Sequence, residues 1–245
     1  MTNHIAIISD VHGNMTAFEA VLDDIDRRGI GRIFNLGDLF GKGPSGSAAI
    51  AITRERCEAT VRGNWDALID YPRDRAGAPL RWWLDEMTAD DHDWIRSLPF
   101  SIDLKLGGTP VRLFHASSDS VFHRVRPTHT DDEFDAMFAN TEATGDGPIP
   151  EIVVYGDIHH AYIKETEGRA LVNAGSVGNH LDGPTASYVV LSVERSVVTP
   201  EIVRVPYDIE REIAVATELG MPELEPYAIE LRTGVYRGLQ SKANG

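Results

Sequence analysis

Hydrophobic and polar positions alternate along this chain in a repeated order. Ile5-Ala6-Ile7-Ile8 is a short apolar run closed by polar Ser9-Asp10-Val11-His12-Gly13, the pattern of a buried strand that ends in a loop. Asn14 then stands as a helix N-cap ahead of Met15, Phe18, Val21, Leu22 and Ile25, which recur at helical spacing, and Arg27-Arg28-Gly29 reads as the helix end. The order returns with a strand at 32–36, the tip Gly37-Asp38 and a helix at 45–54, and again with a strand at 58–61 and a polar loop at 62–66. Strand, polar tip and helix in succession predict an α/β sheet with its chemistry at the carboxyl ends of the strands.

The middle reads as helical over 79–87 and 89–97, with Trp82, Trp83 and Trp94 as core or covering aromatics. A hairpin is predicted across Gly107-Gly108, from 100–106 to 111–114. The loop 116–130 carries Ser117, Ser118, His123, Arg124 and Arg126, and a short acidic helix at 131–139 leads into a mobile Gly/Pro stretch at 145–150. Strands follow at 152–155, 162–165, 170–172, 187–193 and 197–205, then helices at 209–219 and 223–231. Without repeats or a convincing linker, the whole chain, 1–245, reads as one domain with a helical C-terminal segment from about 207 to 245.

Composition narrows the class. In 245 residues, 23 Lys and Arg face 38 Asp and Glu, for a net charge of −15. That excess speaks against tracking along nucleic acid, which needs a surplus of cations. It leaves room for a small phosphorylated ligand, because a local site can differ from the global charge. No apolar run approaches the roughly 18 residues of a membrane span, and Ile5–Ile8 is too short for a secretory signal. The lone Cys57 cannot form an internal disulfide, which favours a reducing compartment, and the expected location is cytoplasmic. Cys57 precedes a predicted strand with no partner or helix N-terminus beside it, so it reads as structural rather than nucleophilic.

The polar tips carry the candidate chemistry. They hold Asp10 and His12, Asp38, Asn64, His115, and Asp157 with His159, each within a few residues of a predicted strand. Taken singly, such residues are usually turn formers, caps or satisfied core histidines. Together they offer carboxylate, imidazole and amide oxygen, a set suited to manganese, iron or zinc rather than copper or calcium. In extended chain, residues i and i+2 point the same way, so Asp10 with His12 and Asp157 with His159 are expected to enter one cleft as pairs. Seven groups exceed one tetrahedral ion and suit two ions that share a carboxylate.

The motifs Ser9-Asp10-Val11-His12-Gly13-Asn14, Leu36-Gly37-Asp38, Arg62-Gly63-Asn64-Trp65-Asp66, His115 and Gly156-Asp157-Ile158-His159 resemble, in order and spacing, those of calcineurin-like metallophosphoesterases. Asn173-Ala174-Gly175-Ser176-Val177-Gly178 and Val205-Pro206-Tyr207-Asp208 resemble the small bacterial and archaeal branch, so the likeness covers nearly the whole chain. It implies a four-layer αββα sandwich of two mixed sheets with a dinuclear metal site at the strand carboxyl ends. It implies that Asp10, His12, Asp38 and His159 hold one ion, and that Asp38 bridges to a second ion held by Asn64, His115 and residue 157. Asp66 would orient the ligands, and the loop containing Ser176 would present N–H groups to phosphate. The implied reaction is hydrolysis of small phosphomonoesters or phosphodiesters, dinucleoside polyphosphates among them, by a metal-bridging hydroxide that attacks in line.

Two departures qualify that expectation. Asp157 stands where the family usually has histidine. A harder, anionic donor favours manganese or iron, with zinc or magnesium also open, and it removes one net positive charge from the site. Arg62, Arg124 and Arg126 are the candidates to restore it at the substrate phosphate, beside Asn64. Trp65 stands where many members have a histidine that protonates the leaving oxygen; tryptophan cannot supply that proton. His123 is the candidate substitute, and substrates with good leaving groups are favoured. The competing readings are a metal-binding regulatory or nucleotide-binding protein of weak activity and, less favoured, a nuclease. A homo-oligomer is left open.

Overall fold

The computed structural model describes residues 3–240. Its elements run β1 (Asn3–Ile8), α1 (Met15–Arg27), β2 (Ile33–Asn35), α2 (Gly46–Arg56), β3 (Ala59–Thr60), a 3-10 helix (Asp66–Asp70), α3 (Ala78–Glu86), α4 (Ala89–Arg96), β4 (Ser101–Leu106) and β5 (Thr109–Phe114). They continue with α5 (Asp131–Met137), β6 (Ile152–Tyr155), β7 (Tyr162–Thr166), β8 (Arg169–Asn173), β9 (Ala186–Glu194), β10 (Val197–Val205), α6 (Ile209–Glu218), α7 (Leu224–Thr233) and α8 (Arg237–Gln240). The expected C-terminal helical segment is present as α6 to α8; its last residues, 241–245, lie outside the described residues.

Two five-stranded sheets form, ordered β10-β9-β1-β2-β3 and β4-β5-β6-β8-β7. Both are mixed. β1, β2 and β3 are parallel; β9 lies antiparallel beside β1, and β10 lies antiparallel beside β9. β5, β6 and β8 are parallel, with β4 and β7 as antiparallel edges.

The period-2 alternation of β1 decides the layering. Ile5 and Ile7 pack with Phe34, Leu113, Val154, Val172 and Val189 between the two sheets. Ala6 and Ile8 face the other way, against Phe18, Val21, Leu22 and Ile25 of α1. On the far side of the second sheet, Val153, Tyr155 and Leu171 pack on Phe134 and Met137 of α5. The result is the predicted helix–sheet–sheet–helix sandwich. Trp83 is buried with Leu39, Phe40 and Ile50, with Trp65, Trp82 and Trp94 packed against that cluster.

One expectation changes. The Gly/Pro stretch at 145–150 is tied down. Arg112 is fully buried, forks the Asp103 carboxylate at 2.7 and 3.0 Å and donates to the Pro148 carbonyl at 3.3 Å. Asn140 donates to the Gly147 carbonyl at 2.7 Å. Glycine and proline mark the turn; a charged core residue hundreds of atoms away in the chain fixes it, which local composition does not reveal.

Candidate metal centre

The parallel strands deliver their carboxyl ends to one cleft. Asp10 and His12 follow β1, Asp38 follows β2, Asn64 follows β3, His115 follows β5, and Asp157 and His159 follow β6. The i, i+2 pairs do not meet through extended chain, as the spacing suggested. Asp10, His12, Asp38, Asp157 and His159 all adopt left-handed backbone, with φ of 55°, 49°, 59°, 65° and 55°. Such conformations are uncommon outside glycine and concentrate at functional sites. Surrounding atoms hold them in place. A Cβ on Gly63 would lie 2.2 Å from Asp38 Oδ1, and one on Gly156 would lie 2.5 Å from Asp10 Oδ2.

Asp10, His12, Asp38 and His159 are buried, and each offers a ligand atom within 4.8 Å of the others. His12 donates from Nδ1 to the Phe40 carbonyl at 3.1 Å, His115 from Nδ1 to Leu36 at 2.8 Å, and His159 from Nδ1 to Asn179. With these tautomers every Nε2 faces the cluster, where a neutral ring gives its lone pair to a cation. His12 Nε2 and His159 Nε2 lie 3.3 Å apart. Asp10 Oδ1 and His115 Nε2 are buried without a hydrogen-bond partner. Buried lone pairs left facing one another are costly unless a cation lies among them, so the donor set fits a divalent ion.

Asp38 is placed between two imidazoles. Its Oδ2 is 3.5 Å from His12 Nε2 and its Oδ1 is 3.5 Å from His115 Nε2. Asp66 fixes this loop without entering the cluster: its carboxylate accepts from the backbone N–H of Asp38 at 2.8 Å, Leu39 at 3.0 Å and Gly63 at 2.8 Å. The field inside is negative. Burial works against the His115 imidazolium, but Asp38, Asp10 and Asp157 outweigh it and raise its pKa to about 9. For Asp10, burial pushes upward, yet His159, His115 and His12 hold the carboxyl well below its usual range.

Asp157 stands apart from the four mutually close residues. Its Oδ1 accepts from Asn64 Nδ2 at 2.6 Å, and Arg124 grips both oxygens, Nε to Oδ2 at 2.9 Å and Nη2 to Oδ1 at 3.0 Å. The other candidates spread out. His123 is half exposed and pairs with Asp119 at 3.2 Å, on the wall of a separate cavity of about 290 Å³. Arg126 is exposed, and Arg62 is partly buried with an unpartnered Nε. The loop of Ser176 does not turn its N–H groups to the cleft as expected: those of Gly175, Ser176, Val177 and Gly178 donate to Asn173 Oδ1, Ser187 Oγ, the Ser9 carbonyl and the Asp10 carbonyl, and the Ser176 hydroxyl donates to the Asp10 carbonyl at 2.8 Å.

One residue was missed. Lys42 brings Nζ to 3.2 Å from Asn179 Oδ1 and 3.4 Å from His159 Nε2, at 6.0 Å from the Trp65 ring centre. It shares the left-handed backbone of Asp10, His12, Asp38 and His159, with φ of 67°. Burial pulls its ammonium below the ordinary value against the attraction of Asp38, Glu230 and Asp10. A lysine flanked by Gly41 and Gly43 was the available signal in the sequence.

Fold and site together define a protein with a polar, metal-fitting cleft at the carboxyl ends of two facing sheets. Residues 4–196 match the calcineurin-like phosphoesterase superfamily domain, and the chain belongs to that family. An uncharacterised protein of Methanocaldococcus jannaschii is 29% identical over 89% of this chain and 94% of its own length. The crystal structure of a metallophosphoesterase from Sphaerobacter thermophilus superposes with a TM-score of 0.73 at 25% identity, covering 95% of this chain and 99% of that one. A hypothetical protein from Pyrococcus horikoshii has the same fold, with a TM-score of 0.73 at 19% identity over 95% of this chain and 99% of that one.

Proposed function

We propose that this calcineurin-like phosphoesterase hydrolyses small phosphomonoesters or phosphodiesters, dinucleoside polyphosphates among them, at a site for two divalent ions. The observation that carries the reading is Asp38, whose two oxygens face two different inward-turned imidazoles, His12 and His115. Asp10, His12, Asp38 and His159 would hold one ion; Asp38, Asn64 and His115 would serve the second, with Asp157 at its margin. Ions bound there supply Lewis-acid polarisation of phosphoryl oxygens and activation of water. The protein's own part is positional. Asp66 locks Asp38, and three backbone carbonyls fix the imidazole tautomers. Arg124 supports the charge reading of Asp157: it returns the positive charge that aspartate in place of histidine removes. Manganese or iron suits this carboxylate-rich set.

Among the described residues, no helix is long and apolar enough to cross a membrane. A second reading, a metal-binding protein of little turnover, draws on the same Arg124 fork, which occupies both Asp157 oxygens. Chelated protein restored with manganese, iron, zinc or magnesium separates the two when nitrophenyl phosphate and bis-nitrophenyl phosphate are offered. Turnover with one or more metals is expected. Bound metal with no turnover on either ester would select the second reading.

A further inference from the structure

We propose that Lys42 binds the phosphoryl group of the substrate from the Asn179 side of the cluster, a role that rests on the phosphoesterase reading. The ammonium is aimed at the cluster and held there. Gly41 and Gly43 leave its loop no slack: a Cβ on Gly41 would lie 2.2 Å from the Trp65 ring, and one on Gly43 would lie 2.5 Å from the His12 carbonyl oxygen. Asn179, which accepts from Lys42, donates in turn to Glu230 Oε2 at 3.0 Å. Glu230 is buried and clamped by Arg237 at 2.7 Å. Such a chain of fixed partners pre-organises a long, flexible side chain that would otherwise lose entropy on binding.

The hydrogen-bond partners of Lys42 are what call for an anion. They are an imidazole nitrogen and an amide oxygen, while the carboxylates of Asp38, Glu230 and Asp10 attract the ammonium without a hydrogen bond to it. His159 Nε2 cannot serve both a cation and the ammonium. When a cation takes that lone pair, an ammonium hydrogen is released toward the cleft, beside a positive ion. A phosphoryl oxygen is the ligand that satisfies both. Two groups expected at the phosphate are not free to take this position: the Ser176 hydroxyl is held by the Asp10 carbonyl and the Asn179 N–H, and Arg126 is exposed. Arg124 at Asp157 and Lys42 at His159 therefore form two arms, one at each ligand-bearing end of the Gly156–His159 tip.

The test compares wild type, Lys42→Met and Lys42→Arg for metal content, inorganic phosphate affinity by calorimetry, and nitrophenyl phosphate hydrolysis. Lys42→Met is expected to keep its metal and to bind phosphate about tenfold to a hundredfold more weakly, the range for losing a hydrogen bond to a charged group. Its kcat/KM should fall in parallel, and Lys42→Arg should recover part of both. If Lys42→Met does not fold, Lys42→Gln carries the same expectation. Unchanged phosphate affinity in a folded, metal-loaded variant overturns the proposal, as does a variant that binds metal more tightly with phosphate unaffected. If wild type hydrolyses no ester, the phosphoesterase reading fails by itself, and phosphate affinity still decides the role of Lys42.

Discussion

Arg124 and Asp157 form a two-pronged ion pair, at 2.9 and 3.0 Å, on the rim of the buried Asp/His cluster. Asp157 is buried while Arg124 is half exposed, so the pair is anchored from below and open above. It couples a buried carboxylate beside the Asp/His cluster to a half-exposed guanidinium.

That coupling predicts how the two positions respond together. Arg124→Met leaves the Asp157 charge uncompensated and should raise KM for nitrophenyl phosphate about tenfold, the loss of a charge-assisted contact. Asp157→His should shift metal preference toward zinc. In the double variant the Arg124→Met defect should shrink, because no carboxylate remains to be neutralised. Steady-state kinetics with metal analysis checks this. Additive effects, or a metal preference unmoved by Asp157→His, would sink the charge account.

Asp66 predicts a defect without losing a ligand. Asp66→Ala abandons three backbone N–H groups in the loops that carry Asp38 and Asn64. Metal affinity should drop about 10–100-fold, as for other residues that orient ligands. Asp66→Asn, with one acceptor oxygen remaining, should fall between. Metal titration of folded variants decides, and wild-type affinity in Asp66→Ala would refute the anchoring role.

His115 predicts a proton signature. Its pKa of about 9, above the ordinary 6.5, means that the metal-free protein carries a proton there at neutral pH. The raised value stabilises the metal-free fold fully below pH 6.5, and the contribution is lost as pH rises through about 9. Metal needs the neutral ring, so uptake at pH 7.5 should release about one proton from this site. Calorimetry in buffers of different ionisation enthalpy measures the number. His115→Asn should lower it, and an unchanged count would assign the proton elsewhere.

The Glu230–Arg237 pair predicts acid sensitivity. Burial raises the Glu230 carboxyl, but Arg237 outweighs it and holds the group below its usual 4.5. The sign follows: the stabilisation is present above pH 4.5 and is lost as pH falls through the lower folded value. Glu230→Gln should be less stable than wild type at pH 7 and should show a shallower loss of stability on acidification. Chemical denaturation between pH 3 and pH 7, estimated as the range that brackets this titration, tests both; parallel curves would count against it.

Much of this was legible along the chain because it is local. Apolar runs of β1 and β6 with their polar tips revealed the strands and most of the cluster, and Asn14 caps α1 as expected, accepting from Ala17 N–H at 2.9 Å. What escaped depends on distance in sequence. Lys42 meets Asn179 across 137 positions, and Asn179 meets Glu230 across 51. No periodicity encodes such meetings. The left-handed turns at Asp10 and His12 escaped for another reason. Those residue types tolerate ordinary backbone, and packed neighbours, not their own preference, impose the conformation.

The family match ends at residue 196, inside the turn that joins β9 to β10. β10 pairs with β9 along its full nine residues. A chain cut at that boundary would turn β9 into an open edge, with a row of unsatisfied amides and carbonyls beside Tyr188, Val189, Val190 and Leu191. Such an edge recruits strands from other molecules. The matched segment alone is thus a recipe for self-association, and the terminal strand doubles as the sheet's protective cover.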